Sequence, residues 1–228
     1  MSTATQLRFT ASASSGEVSA LLDRPPGARA LLVLGHGAGT GMRHRSMEAS
    51  ASALASCGIA SFRYQFPYVE KGGHRPDPQP ILLATVRSAV AAAREAAGDL
   101  PLLAGGRSMG GRMTSLAAAK EALPGIRGLV FFGFPLHPAG APGIERAEHL
   151  DRVTIPMLFL AGTRDKLADL GLLRPVIDRL GAKATLHVVE GADHSFEVPK
   201  RTGRSVEDVL AELAQTVAAW TERLEAKE

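Results

Sequence analysis

A serine lies between closely spaced glycines in the stretch LLAGGRSMGGR, residues 102–112. Within it, the segment Gly106-Arg107-Ser108-Met109-Gly110 matches the pattern G-x-S-x-G, in which a sharp strand-to-helix turn projects a serine hydroxyl outward. Such a turn strains the backbone of the serine and brings together the residues two before and two after it, which must therefore be small. The stretch indicates a nucleophilic serine at Ser108.

A serine needs two partners, which the chain supplies further on. Its hydroxyl is a weak nucleophile until a base removes the proton, and the base is oriented by a third group, usually a carboxylate. In hydrolases with this turn the chain order is serine, acid, histidine. Asp165, in GTRD, follows one apolar run, and His194, in GADH, follows the next. We predict Ser108 as nucleophile, Asp165 as acid and His194 as base. Asp169 is an alternative acid, and Asp193 is less favoured because side chains of neighbouring residues rarely face each other.

A glycine-rich turn can stabilise the negative charge that develops on the substrate. The segment GHGAGTG, residues 35–41, follows the apolar run Ala30–Leu34. Backbone N–H groups in such a turn can point at an oxyanion. We predict the N–H groups of Met109 and Ala38 as donors, with Gly37 as the alternative to Ala38.

Nucleotide-binding loops are the main alternative for these glycines. A P-loop ends in Gly-Lys followed by Ser or Thr, whereas residues 111–113 are Gly-Arg-Met. A dinucleotide loop would need glycine at Thr40 or Met42, and the next strand ends in Gln65 and Phe66 rather than in an acid that could hold a ribose. We therefore predict no cofactor. We also predict no metal site, because the other histidines lack metal-ligand spacing: His44, His74, His137, His149 and His187.

Several other residues near the predicted site fit more than one role. His36 is expected to order its turn rather than to react. Four apolar residues at the rim are predicted to line an acyl pocket, although each fits a core position equally well: Phe66, Leu136, Leu167 and Phe196. Three arginines flank the triad, and either hold loops together by ion pairs or, less favoured, bind an acidic substrate: Arg107, Arg112 and Arg164.

The candidate residues follow short apolar runs of strand length. Continuous rather than alternating apolarity indicates strands buried on both faces, as in a parallel sheet. The predicted strands of this kind are Ala30–Leu34, Ile59–Phe66, Leu100–Ala104, Gly128–Phe132, Met157–Ala161 and Thr185–Val189. Before them, Gln6–Thr10 and Glu17–Leu22 are joined by SASSG and predict an antiparallel hairpin at the edge of the sheet.

Helical patterns alternate with the strands. The apolar residues of the second and the last pattern recur at spacings of three and four. The predicted helices are Ser46–Ser56, the stripe from Leu82 to Ala93, Met109–Leu123, Leu170–Leu180 and the stripe from Val206 to Leu224. Strands that alternate with helices predict a doubly wound α/β fold. We expect one domain over residues 1–228, with Pro67–Pro80 and Pro135–Pro156 as loops on one rim.

Composition narrows the classes of partner and compartment. The chain has 228 residues and a formal net charge of +3, with Lys and Arg spread along it and only 5% aromatic residues. This pattern does not favour nucleic-acid binding. Cys57 is the single cysteine, so an internal disulfide is excluded and the cytoplasm is the simplest compartment. Residues 1–16 lack the apolar segment of a signal peptide, and no stretch reaches the length of a membrane span.

Together these motifs resemble the α/β-hydrolase superfamily. HGAG, GRSMGGR, GTRD and GADHSF, with the stretch FPLHPAGAPGIERAEHL, look like its dienelactone hydrolase-like branch. Within that branch they are similar to small predicted serine hydrolases related to a subunit of a histone acetyltransferase complex. The resemblance runs from about Leu31 to the C-terminus. It implies an α/β-hydrolase fold with Ser108, Asp165 and His194 as the triad, although dienelactone hydrolases themselves use a cysteine where Ser108 stands.

The expected function is hydrolysis of a carboxylic ester with a small to medium acyl chain. Many relatives carry a lid domain where this chain has no large insertion, between Phe134 and Ile155, so we expect little or no lid, with a short cap from Pro67–Pro80 as an alternative. The expected partner is a small-molecule ester, without nucleic acid or membrane. The alternatives are a thioesterase, acyltransferase or peptidase with the same triad, and an interaction module with an idle site.

Overall fold

Eight strands form one sheet in residues 4–226, the part of the chain that the computed structural model describes. The strands are β1 (Thr5–Ser12), β2 (Gly16–Asp23), β3 (Ala30–Gly35), β4 (Ile59–Tyr64), β5 (Leu102–Arg107), β6 (Ile126–Phe132), β7 (Met157–Gly162) and β8 (Ala184–Val189). Their order across the sheet is β1-β2-β4-β3-β5-β6-β7-β8. Strands β3 to β8 pair in parallel, and the β1–β2 hairpin adds to β4 antiparallel. The predicted fold class is confirmed.

The continuous apolar runs have the burial that they predict. Every residue of β3, β4 and β7 is buried. These strands lie inside the sheet, with helices over both faces, so that neither face meets water. Strand β8 is mostly half-buried because it forms the open edge of the sheet.

Two layers of helices cover the sheet. The helices are α1 (Arg45–Ser56), α2 (Pro67–Glu70), α3 (Gln79–Ala97), α4 (Met109–Lys120), α5 (Leu170–Leu180) and α6 (Val206–Glu225). Helices α1 and α6 pack against each other and share one hydrophobic cluster, to which α6 contributes Val209, Leu213 and Trp220. Helices α3, α4 and α5 contribute to the cluster on the opposite face. The apolar stripe of α6 thus faces the sheet, as its spacing indicates.

The two predicted loops contain short helical segments. Helix α2 lies within Pro67–Pro80, and α3 begins at Gln79, because proline is compatible with the first positions of a helix. Pro135–Pro156 contains a 3₁₀ segment, Glu145–Arg152. No helix within residues 4–226 is both long and apolar enough to span a membrane.

The connections that matter for chemistry leave the sheet at one edge. The segments that follow β3, β5, β7 and β8 all start at the carboxyl ends of parallel strands. Ligands of open α/β sheets bind beyond these ends. This edge therefore collects the glycine-rich turn, Ser108, Asp165 and His194.

Candidate active site

Ser108 occupies the turn between β5 and α4 in a strained backbone conformation. Its φ is 50° and its ψ is −113°, a region that residues with a side chain rarely adopt. The residue is held there from both sides, since its N–H donates to the Phe132 carbonyl at 3.1 Å and its carbonyl accepts from Arg112 N at 3.1 Å. The turn therefore projects the Ser108 side chain at the start of α4, as the motif predicts.

The glycines around Ser108 each have a steric reason. A Cβ on Gly106 would lie 2.8 Å from the backbone of both Gly110 and Gly111, and one on Gly110 would collide with the backbone of Gly35 in β3. The outer pair is equally constrained: a Cβ on Gly105 would collide with the Val130 carbonyl of β6, and one on Gly111 would lie 2.8 Å from the Gly106 carbonyl. These contacts of Gly106 and Gly111 lie within the turn itself, whereas those of Gly105 and Gly110 depend on neighbouring strands.

Ser108, His194 and Asp165 form an unbroken chain of hydrogen bonds. His194 Nε2 lies 2.9 Å from Ser108 Oγ, and His194 Nδ1 lies 2.8 Å from Asp165 Oδ2. The Asp165 side chain is fully buried, while that of His194 is 25% exposed. An ionised carboxylate only accepts hydrogen bonds, so His194 Nδ1 carries the proton and Nε2 is free to accept from the serine.

The structure separates Asp165 from the other candidate acids. Its second oxygen, Oδ1, accepts from Leu167 N at 2.8 Å, which fixes the plane of the carboxylate. Asp169 instead caps α5 and accepts from Gly171 N. Asp193 closes the turn around His194 by accepting from Ser195 N and Glu197 N. Only Asp165 of these three contacts the His194 ring in a hydrogen bond.

His36 orders the glycine-rich turn after β3. Its Nε2 accepts from Phe66 N at 3.2 Å, so its Nδ1 carries a proton and donates to the Gly37 carbonyl at 2.8 Å. Thr40 Oγ1 donates to the same carbonyl at 2.9 Å. Complete burial lowers the pKa of His36 to about 4, so the ring is neutral at physiological pH. The peptide that joins Gly37 to Ala38 is thus held in one orientation.

Two of the flanking arginines hold backbone carbonyls of the loop that carries His194. Arg107 Nη2 donates to the Ser195 carbonyl at 2.9 Å, and its guanidinium carbon lies 5.7 Å from the centre of the Phe196 ring. Phe196 has a φ of 61°, a left-handed conformation that is rare for a bulky residue. Arg164 Nη1 donates to the Gly191 carbonyl at 3.4 Å.

Arg112 lies near Arg146, and burial together with that positive charge lowers the pKa of Arg112. Burial, together with the positive charges of Arg112 and Arg152, lowers the pKa of His149 to about 4. The His149 ring lies 2.7 Å from Ser115 Oγ, on the inner face of α4. Arg112 and His149 therefore belong to one group of basic residues, which also includes Arg146 and Arg152.

A cavity of about 680 Å³ opens beside Ser108. Ser108 and His194 line it, together with Gly37 and Ala38 of the turn and Leu167. The other lining residues come from the glycine-rich turn, the end of β5, the N-terminal parts of α1 and α6, and the loop that carries His194: Thr40, His44, Arg45, Ser46, Ala49, Arg107, Ser195, Glu197, Val206, Glu207 and Leu210.

Of the four predicted pocket residues, only Leu167 lines this cavity. Phe66, Leu136 and Phe196 are completely buried, so the pocket prediction has to be corrected for them. Phe66 packs edge-on against His36, at 5.0 Å between ring centres, and so supports the turn from below. Phe66, Leu136 and Phe196 lie in segments at the rim of the sheet, but their side chains fill the core beneath these segments.

Sequence reasoning missed the contribution of α1 and α6 to the cavity. Their first residues, Arg45 and Val206, belong to no catalytic motif. A signal was nevertheless available, because each helix follows a strand whose carboxyl end lies at the site, so each must begin there.

The eight-stranded order, the strained serine turn and the serine–histidine–aspartate hydrogen bonds define an α/β-hydrolase fold. A family model described as "Alpha/beta hydrolase domain" matches residues 28–222, and the chain belongs to this family.

Solved structures share this fold over nearly their whole length. A dienelactone hydrolase from Anabaena variabilis is 20% identical, with a TM-score of 0.73, over 96% of this chain and 98% of that chain. An α/β serine hydrolase without a lid from Xanthomonas campestris is 20% identical, with a TM-score of 0.72, over 96% of both chains. The esterase domain of a Rhodothermus marinus protein is 16% identical, with a TM-score of 0.71, over 96% of this chain and 98% of that chain. At these identities the likeness shows the fold.

Proposed function

We propose that this protein hydrolyses carboxylic esters through an acyl-enzyme on Ser108. The observation that carries the proposal is the hydrogen-bond chain from Ser108 Oγ through His194 to the buried carboxylate of Asp165. Its orientation leaves the unprotonated Nε2 of His194 against the hydroxyl, which is what a general base requires. The similarity to a serine hydrolase without a lid and to an esterase domain supports the same reaction class.

In the first half-reaction, Ser108 Oγ attacks the ester carbonyl carbon while His194 Nε2 takes its proton. The tetrahedral intermediate then collapses, and the departing alkoxide receives that proton from His194. In the second half-reaction, His194 removes a proton from water as the water attacks the acyl-Ser108. Collapse of the second intermediate releases the carboxylic acid and restores the Ser108 hydroxyl. Asp165 stabilises the imidazolium form of His194 throughout.

The oxyanion is assigned to the N–H groups of Met109 and Ala38. Met109 is the first residue of α4, so its N–H has no acceptor within the helix. The N–H of Ala38 points opposite to the Gly37 carbonyl, because the two groups belong to one trans peptide. His36 and Thr40 hold that carbonyl, which favours Ala38 over Gly37 as the donor.

The substrate class is a small-molecule ester with a small to medium acyl chain. The cavity volume of about 680 Å³ lies within the range of small-molecule sites, roughly 300–1,000 Å³. The single cysteine supports a reducing compartment, for which we propose the cytoplasm. The kinship with small hydrolases related to a histone acetyltransferase subunit stays a prediction from GRSMGGR and PLHP.

The test is labelling by a fluorophosphonate probe together with hydrolysis of p-nitrophenyl acetate. The wild-type protein is expected to show both, and Ser108→Ala neither. Ser52→Ala, an exposed position on α1, serves as the matched control and is expected to keep both. A wild-type protein that is neither labelled nor active would refute the proposal, and thioester and amide analogues of the substrate would separate the alternative reactions.

A further inference from the structure

The cavity beside Ser108 continues as a groove between the first turns of α1 and α6. Arg45 and Ala49 line it from α1, and Val206 and Leu210 line it from α6. In each pair the two residues are four apart, so they lie on one face of their helix. The groove thus starts at the reacting serine and runs between two packed helices.

Part of the apolar surface of this groove is exposed. Val206 is the one large hydrophobic residue that is exposed within residues 4–226, with 38% of its surface accessible. A single exposed valine has no meaning by itself. Here it adjoins Leu210, which is 6% exposed, and the exposed methyl group of Ala49 faces the same groove. Together they form an apolar surface that is continuous with the catalytic cavity.

Two arginines on the cavity wall lie near carboxylates of the protein. Arg45 Nη2 lies 4.0 Å from Glu197 Oε1. Burial lowers the pKa of the second arginine, Arg107, although the carboxylates of Asp193, Glu197 and Asp165 lie near it. Arg107 Nη1 is buried without a hydrogen-bond partner among the described residues, and Glu207 also lines the cavity, so charged groups lie beside the apolar surface. The apolar part of the groove, formed by Ala49, Val206 and Leu210, therefore fits an uncharged, apolar group.

We propose that this groove binds an uncharged, apolar substituent of the ester, and that Ala49 and Val206 set the length that it accepts. The inference rests on the proposed function, because it assigns the substituent to a substrate whose carbonyl carbon lies at Ser108. Burial of one methylene group should raise kcat/KM about fourfold. We therefore expect kcat/KM for a substrate with a six-carbon chain to exceed that for a two-carbon chain at least about tenfold.

The experiment compares kcat/KM for chains of two and six carbons in two series. One series varies the acyl group of p-nitrophenyl esters, and the other varies the alcohol of alkyl acetates. In Ala49→Phe the ring fills the groove, and in Val206→Asp a charge replaces the apolar surface at a helix position where aspartate is favourable. Each variant is expected to lower the ratio of the six-carbon to the two-carbon substrate at least tenfold. Ala91→Phe, at an exposed alanine of α3 on the opposite face, is the control and should leave the ratio unchanged.

A loss of length preference in either series supports the inference and shows whether the groove holds the acyl or the alcohol side. Ratios that equal the wild-type ratio in both series, for both variants, would overturn it. Binding of methyl hexanoate and methyl acetate to Ser108→Ala, followed by ligand-observed NMR, gives a readout without turnover. If the wild-type protein proves inactive, the proposed function fails, but the binding measurement still tests the inference. Tighter binding of methyl hexanoate than of methyl acetate, lost in Ala49→Phe and Val206→Asp, would support it, and equal binding of the two esters would overturn it.

Discussion

Replacement of Asp165 by asparagine tests the proposed catalytic chain most directly, and the structure determines what the amide can do. Asp165 Oδ1 accepts from Leu167 N, and Oδ2 faces His194 Nδ1. If the amide oxygen of Asn stays with Leu167, its NH₂ group donates to Nδ1. The ring proton then moves to Nε2, where it faces Ser108 Oγ, and His194 can no longer act as a base.

The opposite orientation of the amide is also unfavourable. It restores the Nδ1 proton but places the NH₂ group against Leu167 N–H, so two donors meet at a fully buried position. An unsatisfied buried donor costs about 1–3 kcal/mol, which reduces the population of this orientation roughly 5- to 150-fold. Because the negative charge that stabilises the imidazolium is lost as well, we expect kcat for p-nitrophenyl acetate to fall about 10³- to 10⁴-fold. KM should change little, since Asp165 does not line the cavity.

Asp169→Asn is the matched control, because Asp169 caps α5 and asparagine caps a helix about as well. It should keep wild-type kcat. If Asp165→Asn, shown by circular dichroism to be folded, retained kcat within threefold of the wild type, the assignment of Asp165 as the orienting acid would be wrong.

Three further predictions follow from the supports of the site. Gly110→Ala places a Cβ against the backbone of Gly35, so we expect the free energy of unfolding to fall by about 1–3 kcal/mol. Tm should then be lower by roughly 3 °C or more. An unchanged Tm would contradict the packing argument. The pKa of His36 is lowered from 6.5 in the unfolded chain to about 4 in the folded protein. As pH falls below 6.5, the unfolded chain therefore binds a proton that the folded protein does not, and the free energy of unfolding decreases until pH falls through 4. Urea unfolding should show this group contributing about 2 kcal/mol less at pH 4.5 than at pH 7, and the same pH slope in His36→Gln would refute that origin. Arg107→Gln removes the bond to the Ser195 carbonyl and should lower kcat about tenfold through a less ordered His194, whereas unchanged kinetics would make Arg107 merely structural.

The sheet and the hydrogen-bond chain of Ser108, His194 and Asp165 could be predicted from sequence because both are determined locally or by topology. Buried strands are visible as continuous apolar runs, and the steric demand of the serine turn is visible in Gly106 and Gly110. Once strands and helices alternate, the right-handed crossovers bring the carboxyl ends of the parallel strands to one edge. Asp165 and His194 must then lie at the same edge as Ser108, although neither is near it in sequence.

The lining of the cavity depends instead on the direction of side chains at the rim, which composition does not reveal. Phe66 and Phe196 are apolar residues next to the site, yet both point into the core, where Phe66 supports His36 and Phe196 lies under Arg107. Ala49 and Val206 show the opposite behaviour. Each lies in an apolar helix, most of whose other apolar residues are buried against the sheet, yet Ala49 and Val206 are exposed and line the cavity. A helix that starts at the carboxyl edge buries its later turns and leaves its first turn over the site. In this fold, the start of each helix on that edge is therefore where residues that select a substrate should be sought, and the type of residue alone does not identify them.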